Sequence, residues 1–400
     1  MKILHIISGV SPENGGPIQG IRNYQNGLVS LGVERHIATF EETKDIALWD
    51  FPDTLKIHAL GKPKTFWQYN ALLIPFLKKE ALNYDVLIIN GIWSYHSYAV
   101  TKAIQSFSKK NANLNLPKVY VMPHGMLDPW FQNDKSRRWK AIRNFLYWHI
   151  IEKKVINNAD GLLFTCREEL LLARKTFSGY RPKQELNIGY GIESPPPPSE
   201  VMKIEFQKTC SLDSKEPYIL FLSRIHSKKG LDLLLNAYSE LLKNSEFTNR
   251  VPNLVIAGPG LETEYGKKML EYLEGNPTVK AKVHWVGHLS GDAKWGAIYG
   301  CHSFILPSHQ ENFGIAVAEA LACYKPVLIT NKVNIYREIE EGGGGIISED
   351  TLAGTIENLK KWINLSKEAQ EKMGQNAFLV YQKYFDVQNA TIRLLDAIKQ

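Results

Sequence analysis

The sequence predicts two successive doubly wound α/β domains. Short β-branched apolar runs alternate with helix-like stretches from the first residues onward. The alternation stops at ESPPPPSE near the middle of the chain and then starts afresh. The length of 400 residues also exceeds what one core usually fills, about 250–300 residues.

In the first half KILHII is the opening strand, Gly16 to Leu31 a helix, ERHIAT a strand, and DVLIIN and KVYVMP further strands. A long helix from about Arg137 to Asn157 follows, then strands at GLLFT and near ELNIGY. Four consecutive prolines neither continue a helix nor pair as a central strand, so the boundary is expected at 190–215, with the proline run a semi-rigid spacer. The second winding reads YILFLS, a helix from Gly230 to Leu242, NLVIAG, VHWVG, HSFILPS, a helix from Ile315 to Cys323, PVLIT and GGGGIIS. The expected division is therefore 1–190, a linker over 191–215, 216–375, and a C-terminal helix over 376–400 for which a return to the first domain is one option.

Composition narrows the class. A hydrophobic fraction of 44% with 22% charged residues describes an ordinary folded protein without low-complexity segments. Cys166, Cys210, Cys301 and Cys323 stand far apart with no CxxC pair, which argues against a zinc site or a disulfide framework and fits a reducing cytosol. The apolar start MKILHIISG is too short for a signal-peptide core or a membrane span and reads as a buried strand. The net charge of +7 is uneven, because residues 1–190 carry 25 Lys+Arg against 16 Asp+Glu and residues 191–400 carry 23 against 25. Such a basic half suits solvated lysines or an anionic partner surface.

Ligands of open α/β sheets bind beyond the carboxyl ends of the strands, so functional residues are sought just after strands. In SGVSPENGGPIQG, Gly15 and Gly16 precede a helix whose N-terminal amides suit phosphate, and the spacing is not that of a dinucleotide fingerprint. In FLSRIHSKKG, Arg224 and Lys229 follow the first strand of the second domain, a guanidinium fork and a point charge suited to a diphosphate. In ILPSHQENFGIAVAEALACYKPVLIT, Glu311 falls in the loop, Phe313, Gly314 and Ile315 at the helix start, and Glu319 within an apolar helix. A carboxylate accepts from two sugar hydroxyls at once, and Glu319 in such a helix needs an open cavity or a partner. His124, in a Pro-His-Gly turn after a strand, is either a satisfied turn residue or a donor to a substrate oxygen.

The ordered set of GG before the first helix, PHG after a later strand, R-x4-K-G, and E-x7-E enclosing FGI resembles the retaining GT-B glycosyltransferases of family four. GMLDPW and ENFGIAVAEALA are closest to its bacterial polysaccharide branch. The resemblance spans nearly the whole chain and implies a GT-B fold, two Rossmann-like domains facing a central cleft, the first on the acceptor side and the second holding the donor. It implies that Gly16 and the amides near Gly314 hold the donor diphosphate and that Arg224 and Lys229 neutralise it. Glu319 would bind the ribose hydroxyls, Glu311 the donor sugar, His124 that sugar from the first domain, and the segment near Leu289 the base. NIGYGIESPPPP stands where an Asn-Gly turn is common, a departure that concerns the hinge.

The expected reaction is metal-independent transfer of a hexose with retained configuration. The donor is UDP-glucose or a related UDP-hexose first and GDP-mannose second, and the acceptor a glycan or lipid-linked glycan. No cofactor and no nucleic-acid partner are expected, and no Asp-x-Asp pair occurs. A GT-B isomerase, a phosphorylase and a non-catalytic sugar-nucleotide-binding protein are the alternatives, and no cofactor-lysine segment of a phosphorylase is recognisable. In KSRRWKAIRNFLYWHIIEKK, Lys135, Arg137, Arg138, Lys140 and Arg143 precede Phe145, Tyr147 and Trp148. Trp139, Ile142 and Leu146 share a helix face, which is expected either to pack on the core or to contact an anionic membrane from the cytoplasmic side.

Overall fold

The computed structural model describes residues 1–11, 15–49, 51–110, 114–134, 137–210, 212–213 and 216–399. It divides into two units, Met1–Gly191 with Val387–Gln400, and Ile192–Asp386.

The first unit is built on seven parallel strands: β1 (Lys2–Ile6), β2 (Glu34–Thr39), β3 (Leu55–Ala59), β4 (Val86–Asn90), β5 (Lys118–Met122), β6 (Gly161–Phe164) and β7 (Glu185–Asn187). Their order is β3-β2-β1-β4-β5-β6-β7. β1 is central, pairing Lys2 with Glu34 on one side and Ile3 with Val86 on the other. Strands covered on both faces are near-continuously apolar, as in β4, where all five residues are buried. β3 is absent from the sequence reading because LKIHA buries only Leu55 and lies at the sheet edge. The helix Val387–Lys399 belongs to this unit and packs on the helix Gly16–Ser30, where a Cβ at Gly27 would lie 2.6 Å from the Thr391 hydroxyl. The expected single helix over 376–400 is thus corrected: Lys367–Val380 and the wide turn after it stay with the second unit, and the chain breaks at Asp386.

The long helix expected over 137–157 comprises Arg138–Tyr147, a π-helical turn at Trp148–Glu152, and Lys153–Asn158. Its inward side presents Asn144, Trp148, Glu152, Val155 and Ile156. Trp148 stacks on Phe177 at 4.8 Å and donates its indole N–H to the Ser178 carbonyl. Trp139, Ile142 and Leu146 are exposed, so the expectation that their face packs on the core is corrected.

The second unit carries six parallel strands: β8 (Tyr218–Leu222), β9 (Asn253–Ala257), β10 (Val283–Gly287), β11 (Ser303–Leu306), β12 (Val327–Thr330) and β13 (Gly345–Ser348), ordered β10-β9-β8-β11-β12-β13. The expected linker over 191–215 is also corrected. Residues 200–209 form a helix, capped by the Ser199 hydroxyl, that packs on the helix Gly291–Gly300 so tightly that a Cβ at Gly296 would lie 2.0 Å from the Met202 carbonyl oxygen. Prolines lack an N–H but keep their carbonyls, and Tyr299 donates to Pro196 O at 2.8 Å, which ties the proline run to this unit.

Strand order reverses beside the first strand of each sheet, between β1 and β4 and between β8 and β11. Connections leave such a point toward opposite faces and open a crevice at the carboxyl ends. In the second unit the loops after β8 and β11 interlock. Gly230, at φ +67, faces Pro307 so closely that a Cβ would lie 2.0 Å from the carbonyl oxygen, and His309 N–H donates to Lys228 O. A non-glycine residue loses about 1–2 kcal/mol in that conformation before any clash. Gly230→Ala is therefore expected to lower unfolding stability by at least roughly 2 kcal/mol. An unchanged urea midpoint would show that the two loops are not locked together.

Candidate functional site

The crevice of the second unit gathers most residues singled out by the sequence. Lys229 ends a single 3-10 turn after β8, and its Nζ donates to Glu311 Oε2 in the loop after β11, with side-chain exposures of 13% and 21%. Glu311 is fixed by its backbone, since its N–H donates to Lys332 O and its carbonyl accepts from Asn334 N–H, both at 2.9 Å. Arg224 is exposed, and its side chain has no hydrogen-bond or ion-pair partner among the described residues. Burial, with the charges of Arg224, Lys228 and Lys229, lowers the pKa of His226 between them. The loop after β8 is thus a concentration of positive charge.

Gly314 adopts φ 79 and ψ 68 and caps the helix Ile315–Ala322; Val317 and Ala318 N–H both return to its carbonyl. The amides ahead of Val317 have no acceptor in their own helix and are available to an anion. A Cβ at Gly314 would lie 3.3 Å from Glu311 Cγ, so the Glu311 side chain lies against this helix start. Phe313 is buried edge-on to Phe385. One turn further, Glu319 accepts from Lys294 Nζ at 2.8 Å, and Lys294 sits 4.2 Å over the Trp295 ring. The partner that Glu319 requires in an apolar helix is therefore Lys294, on the helix Gly291–Gly300. Leu289, between β10 and that helix, is buried.

The first unit has its own set at the β1/β4 crevice. Gly15, at φ 72, caps the helix that starts at Gly16, and a Cβ at Gly16 would meet nothing within 4 Å, so packing does not require glycine there. His124 takes φ 52 after β5, with Nε2 3.2 Å from Asn90 Oδ1. Asn90 continues to His5 at 3.3 Å, and His5 to the buried guanidinium of Arg35 at 2.9 Å. Burial pushes the His124 pKa down to about 3, which keeps the ring neutral at neutral pH. Glu169 fixes the turn, accepting from Gly125 N–H at 2.5 Å and from the Thr165 N–H and hydroxyl. After β4, Trp93 at φ 72 donates its N–H to Glu152 Oε1, which also accepts from the Ser97 hydroxyl.

The sequence reading missed Lys294, Asn90, Glu169, Arg35 and Glu152. Glu169 carried a faint signal, standing four residues after Thr165 at a helix start. The others depend on which strands and helices become neighbours. Among the described residues no group of three His, Cys, Asp or Glu side chains is placed to hold a metal ion.

Residues 202–380, nearly the whole second unit, match the family model described as glycosyl transferases group 1. The chain carries a glycosyl transferases group 1 domain. It is 30% identical over 144 residues to an uncharacterized glycosyltransferase of Methanocaldococcus jannaschii, covering 36% of this chain and 35% of that protein. It is 23% identical over 197 residues to the N,N'-diacetylbacillosaminyl-diphospho-undecaprenol alpha-1,3-N-acetylgalactosaminyltransferase of Campylobacter jejuni, covering 47% and 48%. The matched stretch thus spans less than half of either relative. Among solved structures, the Anabaena protein HepE in complex with UDP superposes with a TM-score of 0.75 at 15% identity, with 100% of both chains covered. The fold is GT-B.

Glu152 is expected to make the stability of the first unit depend on pH. It is fully buried, its Oε2 has no partner among the described residues, and burial raises its pKa from 4.5 to about 7. A folded-state pKa above the unfolded one means that stability is full below about 4.5 and falls as pH rises through about 7. Glu152→Gln is expected to abolish that fall, gaining up to roughly 3 kcal/mol over the native protein near pH 8 and nothing near pH 4.5. Parallel unfolding curves of the two proteins across that range would refute the assignment.

Proposed function

We propose that this chain is a glycosyltransferase that moves a hexose from a UDP-hexose, UDP-glucose first, to a glycan or lipid-linked glycan, without a metal and with retained configuration. GDP-mannose is the second donor. The observation that carries the reading is the convergence of Lys229, Glu311 and the Gly314 helix start on the β8/β11 crevice, with Arg224, which has no partner among the described residues, in the loop of Lys229. Support also comes from the group 1 domain, from HepE having been solved with UDP and with UDP-glucose, and from the diphospho-undecaprenol in the name of the Campylobacter jejuni relative.

In this reading the diphosphate lies on Arg224, Lys229 and the free amides of Gly314 and Ile315, with Phe313 beneath them. Lys229 exchanges its carboxylate for phosphate oxygens, and Glu311, released, accepts from donor-sugar hydroxyls. Glu319 accepts from the ribose hydroxyls, and the backbone near Leu289 borders the base. As the bond from the sugar C1 to the diphosphate oxygen breaks, the electron pair leaves with the diphosphate. The cations and amides stabilise that charge, and the acceptor hydroxyl attacks C1 from the same face, passing its proton to the departing diphosphate oxygen. Gly16 and His124 keep the diphosphate and sugar roles that the family resemblance implies, so His124→Ala is expected to reduce turnover.

Incubation with labelled UDP-glucose and a glycan or lipid-linked acceptor is expected to release UDP and label the acceptor, in the presence of excess EDTA. An epimerised donor identifies an isomerase, and tight binding without turnover a sugar-nucleotide sensor. Loss of activity in EDTA with rescue by a divalent metal rejects the metal-free mechanism. Glu319→Ala is expected to weaken UDP binding by roughly 1–3 kcal/mol, about 5- to 150-fold. Unchanged affinity in calorimetry would reject the ribose role.

A further inference from the structure

We infer that the outward face of the helix Arg138–Tyr147, with the turn that follows it, is a docking surface for an anionic lipid bilayer. The proposed reaction does not require this contact, and the contact does not depend on that reaction. At 3.6 residues per turn, Trp139, Ile142, Phe145 and Leu146 fall within one sector of about 120°, and Ile150 follows in the π-helical turn. All five are exposed, from 47% for Ile142 to 84% for Trp139. Single exposed hydrophobics are ordinary, but four on one side of one helix, with Ile150 in the turn after it, form a patch. The helix is held to its unit by a different side, that of Asn144, Trp148 and Glu152, so the outward face is not needed for folding.

Charge selects the occupant. Residues 137–154 contain Arg137, Arg138, Lys140, Arg143, Lys153 and Lys154, and a single carboxylate, Glu152, which is fully buried. Every accessible charge on this segment is therefore positive. A second copy of the chain docked here by two-fold symmetry would set cations against cations. A bilayer surface bearing anionic headgroups complements them, with the tryptophan and phenylalanine rings entering the interface. A groove of about 770 Å³ opens along the same helix, lined by Asp134 and Arg138 together with Ile142, Phe145, His149 and Phe177, so the apolar face is continuous with a recess. No helix among the described residues is long and apolar enough to cross a membrane, which makes the contact peripheral. Lys135, named with this segment, lies outside the described residues. Arg137 stacks over the Phe131 ring at 4.9 Å and is left intact in the test.

The test is co-sedimentation of the full chain, without donor or acceptor, with phosphatidylglycerol-containing vesicles and with pure phosphatidylcholine vesicles. Binding to the anionic vesicles is expected to be at least tenfold stronger, and to be lost at about 0.5 M salt, where screening is nearly complete. The double substitution Arg138→Gln with Lys140→Gln and, separately, Trp139→Ser with Phe145→Ser are each expected to weaken it at least tenfold. Arg138, Lys140, Trp139 and Phe145 are exposed, so unchanged thermal melting is expected and separates loss of binding from loss of fold. Equal binding to neutral and anionic vesicles, or native-like binding by both variants, overturns the proposal. A solution dimer that Trp139→Ser dissociates, without vesicle binding by the native chain, assigns the face to a second copy and also overturns it.

Discussion

The second unit depends on a close approach that only glycine permits. Where β8 and β11 lie side by side, their following loops cross with the backbone of residue 230 against the Pro307 carbonyl. That approach sets Lys229 beside the loop of Glu311, and the β12 loop grips Glu311 from behind through Lys332 and Asn334. The Glu311 side chain then lies against the start of the helix Ile315–Ala322, whose first amides have no acceptor in their own helix. One cation, one carboxylate and one helix dipole thus meet as a consequence of sheet order and a missing side chain.

The charges at this edge are partly buried, and isolated burial would cost several kcal/mol each. Pairing offsets that in both cases: Lys229 with Glu311, and Lys294 with Glu319. Neither pair is sealed from water, so each can exchange its partner for a ligand group without creating an unpaired interior charge. The first unit handles charge differently. Arg35 is wholly buried with no carboxylate partner among the described residues; burial lowers its pKa to about 9, and its N–H groups are met by Ile21 O, Gln25 Oε1 and the His5 ring. That interior network ends at His124, whose neutral ring stands at the strand edge.

Much of this was legible in the sequence because strands covered on both faces must be apolar and ligand-binding loops follow strands. β1, β4 and β8 were readable for the first reason, and Arg224, Lys229, Glu311 and Gly314 for the second. β3 was not, since an edge strand that buries one residue carries little pattern. The Lys294–Glu319 pair spans 25 positions and depends on how two helices dock, which periodicity does not encode. Periodicity placed Trp139, Ile142 and Leu146 on one face but could not say which face turns inward. The choice fell to Trp148 and its stack on Phe177, a partner 29 residues away in sequence. The proline run likewise signalled the end of a helix or sheet but not that Tyr299 would bind its carbonyl.

The central claim is that a nucleotide sugar is held at the β8/β11 crevice of the second unit. Hydrogen exchange of the full chain with and without UDP, read by mass spectrometry, tests it most directly, because backbone amides at the helix start are themselves proposed ligands. The account predicts that UDP slows exchange in peptides covering 223–231 and 311–320. Tight UDP binding with no added protection in those two segments would contradict it.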